Sequence, residues 1–284
     1  RATRHGARIV TSCRVDGVRV KKDGVVVKAS VSNAGERLFE AKILVLATGV
    51  NYKLFKGLGV QGPVGFLGGA QIEIPYPPEE RISVYVGREV APGSFAWVVP
   101  LPAGRARVGL LAEKTPAAPY LKRLLDRIHP GWRDDIREEA IDIRPIVQGT
   151  LERSYGERFL IVGEAAGQIK TTTGGGIYYG LLGAEIAAET LEEAFRRSKF
   201  TANVLSPYER RWKKEIGEEL RFGHYCRQLF SKFSDEQIEE LFDRLSQDQI
   251  LNIAEREAAF DWHKNLLLSV LNLPKVRRLI QNPF

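Results

Sequence analysis

Residues 159–182 read FLIVGEAAGQIKTTTGGGIYYGLL, and this stretch decides the fold. Its opening apolar run, Phe159 to Val162, predicts a buried parallel strand that ends at Gly163. Glu164 follows at once, where its carboxylate can accept hydrogen bonds from the hydroxyl groups of a ligand. Three glycines from Gly174 onward then open a helical segment, and their lack of side chains lets backbone N–H groups approach an electron-rich ligand. The stretch therefore predicts a ligand site between a strand and a helix.

This stretch resembles the second flavin-contacting motif of a large FAD-dependent family, which includes aromatic hydroxylases, FixC-type dehydrogenases and geranylgeranyl reductases. The family pattern runs Gly-Asp-Ala-Ala, then a proline, then a glycine-rich turn into a helix, and the version here is most similar to the reductase branch. Two positions differ, since Glu164 stands in place of aspartate and Thr171 in place of proline. A glycine-rich turn alone would fit simple packing or another phosphate, but a match over about two dozen residues favours FAD.

The resemblance implies which residues contact the cofactor. They are the matching positions Gly163, Glu164, Ala165, Ala166, Gly174, Gly175, Gly176 and Ile177. A second buried strand is predicted over residues 41–49, and it ends in Ala47, Thr48 and Gly49. This ending resembles the strand-terminal Ala-Thr-Gly of the family, whose backbone lies near the FAD dinucleotide. An ordinary strand that ends in a turn fits the triplet equally well.

Composition places the chain among soluble globular proteins. Its 284 residues are 44% hydrophobic and 27% charged, enough for one large or two ordinary domains. No apolar run has membrane-spanning length, and no signal peptide is visible. Two cysteines, Cys13 and Cys226, cannot form a disulfide framework, which favours a reducing, cytoplasmic compartment. The four histidines show no metal-ligand spacing, so no metal is expected.

The beginning of the sequence is unusual, because the chain starts with Arg1 and contains no Met. It also lacks the Gly-x-Gly-x-x-Gly turn with which the resembling family holds the FAD pyrophosphate. We therefore expect about a hundred further residues to precede it in the whole enzyme, and residues 1–284 alone to bind FAD poorly. Residues 6–10 are predicted as a strand that joins such a sheet. Short β-branched runs at 18–20, 24–28 and 29–31 predict a small antiparallel meander.

The middle of the chain, from residue 60 to 150, predicts an antiparallel sheet. Alternation such as that of Ile82, Val84 and Val86 indicates that one face is covered. The predicted strands are Gln71–Ile74, Ile82–Val86, Ala96–Val99 and Ala106–Leu111. A helix is predicted over residues 120–128, ended by the His-Pro-Gly sequence at 129–131. In the resembling family this region is the substrate domain, a sheet that forms a roof over the flavin.

Within this sheet, Phe95, Trp97 and Pro100, followed by Gly109, resemble the aromatic-x-Trp-x-aromatic-Pro motif and the downstream Gly-x-Gly of the reductase branch. The copy is imperfect: Phe95 replaces Tyr, Val99 replaces Phe, and Leu111 replaces the second glycine. Because Phe95 and Trp97 alternate along a strand, they share one face and could line a groove for a long hydrocarbon. Aromatic residues of an ordinary sheet core fit the spacing equally well, and the glycine-rich motif tips the interpretation toward the groove.

The last third of the sequence predicts helices that form a packed cap. One helix runs over residues 177–197, with an apolar stripe from Leu181 to Phe195. Ser206-Pro207 predicts the start of a second helix. Residues 234–237 form a capping-box sequence that opens a third, through Leu245. A final apolar segment spans residues 262–273, and a basic end follows Pro274.

These segments give an α/β fold class. We predict a Rossmann-like FAD-binding domain, incomplete in this sequence, with an inserted, mainly antiparallel β-sheet substrate domain and a C-terminal helical region. The predicted limits are 1–59 and 151–200 for the FAD-binding domain, 60–150 for the substrate domain and 201–284 for the helical region.

Charge is distributed unevenly. Residues 201–284 carry equal numbers of acidic and basic residues, so the net charge of +7 lies in residues 1–200. A positive surface suits a prenyl diphosphate or phospholipid substrate, or a peripheral position on the inner membrane face. No nucleic-acid-binding motif accompanies it, so nucleic acid is not an expected partner.

The resemblance implies a reduced flavin that delivers hydride to an isolated C=C of a polyprenyl chain, with a proton added to the other carbon. The substrate would be a prenyl lipid or prenyl diphosphate, and the electron donor ferredoxin or NAD(P)H. No sequence pattern identifies a catalytic acid. A flavin monooxygenase or a FixC-like quinone-linked dehydrogenase of the same fold is an alternative. A non-catalytic lipid-binding relative is a third hypothesis, from a different functional class.

Overall fold

The computed structural model describes residues 2–63, 65–113, 115–245 and 247–281. The chain forms two compact units, each assembled from three separate stretches. Unit 1 comprises Arg1–Pro63, Thr150–Gln168 and Gly176–Ile216, and unit 2 comprises Val64–Gly149, Ile169–Gly175 and Gly217–Phe284.

Strands dominate the first half of the chain and helices the second. The strands are β1 Cys13–Val20, β2 Val25–Val31, β3 Gly35–Ala41, β4 Leu44–Leu46, β5 Gly65–Pro75, β6 Ser83–Tyr85, β7 Ala96–Leu101, β8 Arg105–Ala112, β9 Asp142–Gln148, β10 Tyr155–Gly156 and β11 Phe159–Ile161. The α-helices are α1 Ala118–Ile128, α2 Trp132–Asp135, α3 Ile177–Arg196, α4 Ala202–Phe230, α5 Asp235–Arg244, α6 Gln247–Glu257, α7 Lys264–Leu271 and α8 Pro274–Gln281. Short 3₁₀ turns form at Ala2–His5, Phe55–Leu58, Glu138–Ala140 and Gly163–Ala166.

In unit 1, the predicted meander is confirmed with different strand limits. Strands β1, β2 and β3 pair antiparallel in sequence order. Residues 29–31 continue β2, because the chain does not turn until Asn33 and Gly35, both of which adopt positive φ. The third strand is therefore β3, and the strand predicted over residues 41–49 shortens to β4.

The predicted buried parallel strand is confirmed. Strand β11 pairs parallel with β4, Phe159 opposite Leu44 and Ile161 opposite Leu46. Leu46 and Ile161 are buried in the core of unit 1. The strand predicted over residues 6–10 is wrong: no described strand pairs with these residues, and Ile9 is exposed. Apolar character without a pairing partner does not make a strand.

Unit 2 is built on a five-stranded antiparallel sheet in the order β6-β7-β8-β5-β9. One face packs on α1 through residues such as Val98, Val108 and Leu121, all fully buried, which confirms that one face of the predicted sheet is covered. The other face is partly covered as well, since Leu111 on it is also buried. The predicted face of β6 is wrong, because Ile82 and Val84 are 64% and 61% exposed. Strand β6 lies at the sheet edge, and Tyr85 on its other face packs against the core. Strand β9 was not predicted.

The second predicted helix begins earlier than its predicted start at Ser206-Pro207. Helix α4 starts at Ala202, so Ser206-Pro207 lies inside it and not at its start. Pro207 cannot donate a backbone hydrogen bond, and the hydroxyl of Ser206 donates to the Asn203 carbonyl instead (3.0 Å). The predicted capping box at α5 is confirmed by reciprocal hydrogen bonds between Ser234 and Gln237. No described helix is long and apolar enough to cross a membrane.

The apolar stripe predicted for α3 is only partly buried. Ile186 lies in the interior, whereas Leu181 and Phe195 are exposed. The apolar segment predicted over residues 262–273 contains α7. Pro274, which was predicted to begin a short basic end, opens a further helix, α8.

Candidate functional site

The carboxyl ends of β4 and β11 bring two predicted cofactor segments together in unit 1. Because the strands are parallel neighbours, the turns after them lie at one edge of the sheet. Gly49 has φ +58°, and a Cβ placed there would lie 3.6 Å from the Glu164 Oε2. Ala47 and Thr48 are exposed beside it. The sheet edge therefore presents exposed backbone next to a carboxylate.

The predicted residues Gly163–Ala166 form one 3₁₀ turn but point in different directions. Gly163 has φ +71° and open space where a Cβ would stand. Glu164 is half-buried. Burial, and next the negative charge of Glu164, raise the pKa of the nearby Tyr52. Ala165 and Ala166 are fully buried in the core, so only their backbone could meet a ligand. In this turn the carboxylate of Glu164 is the side-chain group that can accept a hydrogen bond.

A buried chain of hydrogen bonds holds this turn, and no sequence pattern predicted it. The Gly163 N–H donates to the Gln168 Oε1 (2.7 Å), and the Gln168 amide donates to the Tyr208 hydroxyl (2.9 Å). Tyr208 in turn donates to the Ile161 carbonyl (2.7 Å). A Cβ at Gly183 of α3 would lie 2.0 Å from the Gln168 oxygen. Gln168 and Tyr208 therefore fix the end of β11, just before Glu164.

The N-terminus of α3 is open. Its N-cap residue is Gly176, no described side chain caps it, and Ile177 is 85% exposed. The first amide groups of a helix have no partner within the helix, and the helix dipole adds partial positive charge there. A Cβ at Gly180 would lie only 3.7 Å from the Gly163 Cα, so α3 packs closely on the turn after β11. These residues fit a flavin: an exposed backbone, a carboxylate and an uncapped helix start converge at one sheet edge.

Gly174 and Gly175 belong to a tight loop of unit 2, residues 170–175, which we call the glycine loop. The Gly174 N–H donates to the Lys170 carbonyl (2.8 Å), and the Lys170 N–H donates to the Gly175 carbonyl (2.9 Å). Gly174 has φ +74°, and a Cβ there would lie 3.2 Å from the Leu111 Cδ1. The loop therefore packs against the sheet face that carries Leu111.

Thr171 stands where the family pattern has proline, yet the loop is firmly held. Thr171 is buried, and its hydroxyl donates to the Leu220 carbonyl of α4 (3.1 Å). A Cβ at Gly223 would lie 2.8 Å from the Thr171 oxygen, so a glycine is needed at that point of α4. Packing on α4 thus supplies the restraint that a proline ring would give.

The aromatic pair of unit 2 lies on the sheet face away from α1. The ring centroids of Phe95 and Trp97 are 5.7 Å apart. Trp97 pairs with Gly109 across β7 and β8, and its ring covers that glycine. Pro100 alternates onto the opposite face with Val98. Of the four predicted substrate residues, Phe95, Trp97 and Gly109 therefore share one face, and Pro100 does not.

A cavity of about 260 Å³ opens beside this pair in unit 2. Most of its wall is apolar, and its lining includes Phe95, Thr172, Cys226, Arg227, Phe230 and Leu267. Phe230 also packs against Phe233 and Ile238 in a small hydrophobic core that includes residues of α5, so packing restrains this part of the cavity wall. The cavity joins the aromatic pair, the glycine loop and two C-terminal helices.

The charged side chain of Arg227 lines the cavity. Arg227, only 10% exposed, pairs with Glu113 (Nη1 to Oε1, 2.5 Å), and a Cβ at Gly93 would lie 2.6 Å from that carboxylate. Burial, and next the Arg227 charge, lower the pKa of His224, against a smaller opposing effect of Glu113. Burial raises the pKa of the Cys226 thiol to about 11, so it stays protonated at neutral pH. Sequence patterns did not identify Glu113, His224 or Arg227.

Comparisons with known proteins agree with this geometry. A family model described as FAD dependent oxidoreductase matches residues 1–190. A digeranylgeranylglycerophospholipid reductase of Methanocaldococcus jannaschii is 28% identical over 260 residues, which cover 87% of this chain and 65% of that protein. Digeranylgeranylglycerophospholipid reductase 2 of Methanopyrus kandleri is 30% identical over 235 residues, with 76% and 58% covered. The chain thus spans less than two thirds of the length of these two relatives.

Two solved structures share the fold. A geranylgeranyl bacteriochlorophyll reductase-like protein of Thermoplasma acidophilum has a TM-score of 0.79 and 19% identity, covering 99% of this chain and 72% of that chain. An anhydrotetracycline hydroxylase of Streptomyces rimosus has a TM-score of 0.65 and 18% identity, covering 96% and 54%. At these identities the likeness confirms the predicted fold class and extends no further.

Proposed function

We propose that this chain, which belongs to the FAD-dependent oxidoreductase family, reduces carbon–carbon double bonds of prenyl chains. FAD is the cofactor of that family, as the sequence resemblance implied. The apolar cavity beside Phe95 and the glycine loop is the observation that carries the proposal, because a hydrocarbon chain offers only apolar surface for recognition. The names of the two reductases above specify a digeranylgeranylglycerophospholipid substrate, which supports the same substrate class.

The residues of unit 1 would hold the cofactor. We assign to Glu164 the acceptance of a hydrogen bond from a ribityl hydroxyl, and to Ala47–Gly49 a close backbone approach to the dinucleotide. Gly176 and Ile177 present the open start of α3, whose partial positive charge favours an electron-rich group. Gly174 and Gly175 keep the cofactor role that the motif resemblance gives them. When bound and reduced, FAD supplies a hydride for one alkene carbon, and the other carbon receives a proton.

The residues of unit 2 would bind the prenyl chain. At roughly 30 Å³ for each water-sized group, the cavity has room for about nine such groups, enough for part of a long chain. Each buried CH₂ contributes about 0.8 kcal/mol to binding. Phe95 and Phe230 line the cavity, and Trp97 packs against Phe95 on the same face of the sheet. The part of the chain outside the cavity would carry the polar head, a phospholipid or diphosphate group, toward basic surface.

We also propose a peripheral contact with the inner membrane face in the cytoplasm, where such a lipid would be collected. Its support is two sets of residues near the C-terminus of the sequence, exposed aromatic ones at 260 and 262 and basic ones on α8. Phe260 is 90% exposed and Trp262 partly so, and α8 carries Lys275, Arg277 and Arg278 without an acidic residue. The electron donor, ferredoxin or NAD(P)H, stays a proposal from the family resemblance.

The test is turnover of prenyl substrate by the flavin-loaded enzyme. Reduced enzyme should saturate double bonds of a geranylgeranyl lipid, and mass spectrometry should show a gain of two mass units for each bond reduced. Trp97→Ala should raise the substrate concentration needed for half-maximal rate and leave the flavin absorption spectrum unchanged. Phe242→Ala, which removes an exposed aromatic of α5, is the matched control. If the enzyme hydroxylates an aromatic substrate and does not reduce prenyl chains, the monooxygenase alternative replaces the proposal. If the protein shows neither activity and binds no flavin, the lipid-binding alternative replaces it.

A further inference from the structure

Lys170, at the start of the glycine loop, is tied to a distant part of unit 2. Its side chain is only 10% exposed, and its ammonium binds the Asp261 carboxylate at 2.8 Å. It also donates to the Phe260 carbonyl (3.0 Å) and lies 4.8 Å from the centre of the Phe260 ring. A Cβ at Gly175 would lie 2.9 Å from the Lys170 Cε, so the stem of the lysine covers that glycine. One side chain therefore meets the loop end and the chain segment around residue 261.

A second tie runs beside the first. The Thr172 hydroxyl and the His263 Nδ1 are 2.7 Å apart, within hydrogen-bond distance. Glu219 of α4 accepts the backbone N–H groups of His263 (2.5 Å) and Lys264 (3.0 Å). Residues 260–264, which we call the strap, are therefore anchored to α4 and bonded to the glycine loop at Lys170 and Thr172.

The loop needs such anchors. Glycines lose more conformational freedom on ordering than other residues, and Gly174 must hold φ +74°. Both hydrogen bonds that close the loop run through the backbone of Lys170. Whatever fixes Lys170 therefore fixes the direction of the amide groups at Gly174 and Gly175.

We infer that Lys170, Asp261 and His263 are positioning residues, and that the strap holds the glycine loop in the conformation in which it meets FAD. The inference rests on the cofactor role proposed for Gly174 and Gly175. It assigns to the C-terminal helical region a part in cofactor binding, beyond that of a packed cap. None of the three residues needs to touch the flavin, since each acts through the loop.

The experiment compares two variants that keep side-chain size. Lys170→Met retains the stem over Gly175 and removes the ammonium, and Asp261→Asn removes only the charge of its partner. Glu218→Gln is the matched control, because it breaks the exposed Lys264–Glu218 pair at the end of the strap. Hydrogen exchange of residues 170–175 is measured in protein without added flavin. The FAD dissociation constant and the absorption bands of bound FAD are measured in the holoprotein.

We expect exchange in residues 171–175 to accelerate at least about tenfold in both variants, because a charge-assisted hydrogen bond is lost. FAD binding should weaken by a similar factor, with shifted flavin absorption bands, and the double variant should bind FAD no more weakly than either single variant. Unchanged exchange in the loop, or an equal rise throughout unit 2, would overturn the inference. Should Lys170→Met fail to fold, Asp261→Asn decides alone. If the wild-type protein does not bind FAD, the cofactor proposal is wrong, whereas the hydrogen-exchange data still test whether the strap holds the loop.

Discussion

The ring of Trp97 covers Gly109, its partner on the neighbouring strand. A Cβ at position 109 would lie 2.5 Å from the ring carbon Cζ2, closer than any side chain can approach. The glycine is therefore the condition for the position of the indole on the sheet face. This contact gives a physical reason why, in this chain, a glycine stands downstream of the aromatic motif.

Gly109→Ala should displace the Trp97 ring. Forcing a methyl group into a packed position costs about 1–3 kcal/mol of unfolding free energy, and the rate with low prenyl substrate should fall as the groove narrows. Urea unfolding followed by tryptophan fluorescence measures the first effect. Gly65→Ala in β5 is the control, because a Cβ there meets only an ordinary 3.7 Å contact with Gln148. Equal stability of the two variants would contradict the proposed contact.

Glu164→Ala should weaken FAD binding at least tenfold. The reason is the loss of a charged hydrogen bond, worth about 1.5–3 kcal/mol. Glu164→Asp should retain the cofactor, since it keeps the carboxylate at the sheet edge. Flavin fluorescence during dilution of the holoprotein gives the dissociation constant, and Glu185→Ala on the exposed side of α3 is the control. Retention by the Ala variant at the wild-type level would remove Glu164 from the site.

Tyr208→Phe should destabilise unit 1. The hydroxyl accepts from Gln168 and donates to the Ile161 carbonyl in the buried interior, so its removal leaves both groups without that partner. The expected loss is about 1–3 kcal/mol of unfolding free energy. Tyr225→Phe, on an exposed position of the same helix, should change stability little. Chemical denaturation of both variants compares them, and matching midpoints would show that the buried chain of hydrogen bonds contributes nothing.

Acidification should destabilise the protein through His224. Burial and Arg227 lower its pKa in the folded state, so near pH 6 the unfolded chain binds the proton more readily than the folded one. The contribution of the neutral histidine is thus complete above the unfolded pKa of about 6.5 and is lost as the pH falls through the folded pKa. His224→Gln should flatten the dependence of unfolding free energy on pH in this window, and His5→Gln, at an exposed position, should not. A slope unaltered in His224→Gln would contradict the assignment.

Local patterns predicted the parts of the fold that depend on neighbouring residues. The strand at 159–161, the antiparallel sheet and the capping box of α5 follow from short runs of residue types. The face of β6 was misjudged because alternation marks two faces but does not say which one the core covers. The start of α4 was misplaced because a serine followed by a proline is typical of a helix start. Inside α4 the same pair is accommodated by the hydrogen bond from the Ser206 hydroxyl to the Asn203 carbonyl.

The parts of the site that escaped prediction join residues distant in sequence. Gln168 and Tyr208 lie 40 residues apart, and Lys170 and Asp261 lie 91 apart. No periodicity or motif relates such pairs, since their partners are chosen by tertiary packing. The glycines that accommodate them, Gly183 and Gly175, are visible in the sequence, but the side chains that require them are not.

Thr172 is a residue of the glycine loop that also lines the cavity, and its hydroxyl contacts His263 of the strap. A chain that fills the cavity would therefore press on the loop proposed to contact the flavin. Thermodynamic linkage makes such a coupling reciprocal: if the bound chain shifts the redox midpoint of the flavin, reduction must change the affinity for the chain by the same free energy. We expect reduced and oxidised holoprotein to bind a saturated prenyl lipid with different affinities. Thr172→Val, which keeps the shape but cannot bond His263, should narrow that difference, and equal affinities in the wild type would show that the two sites are independent.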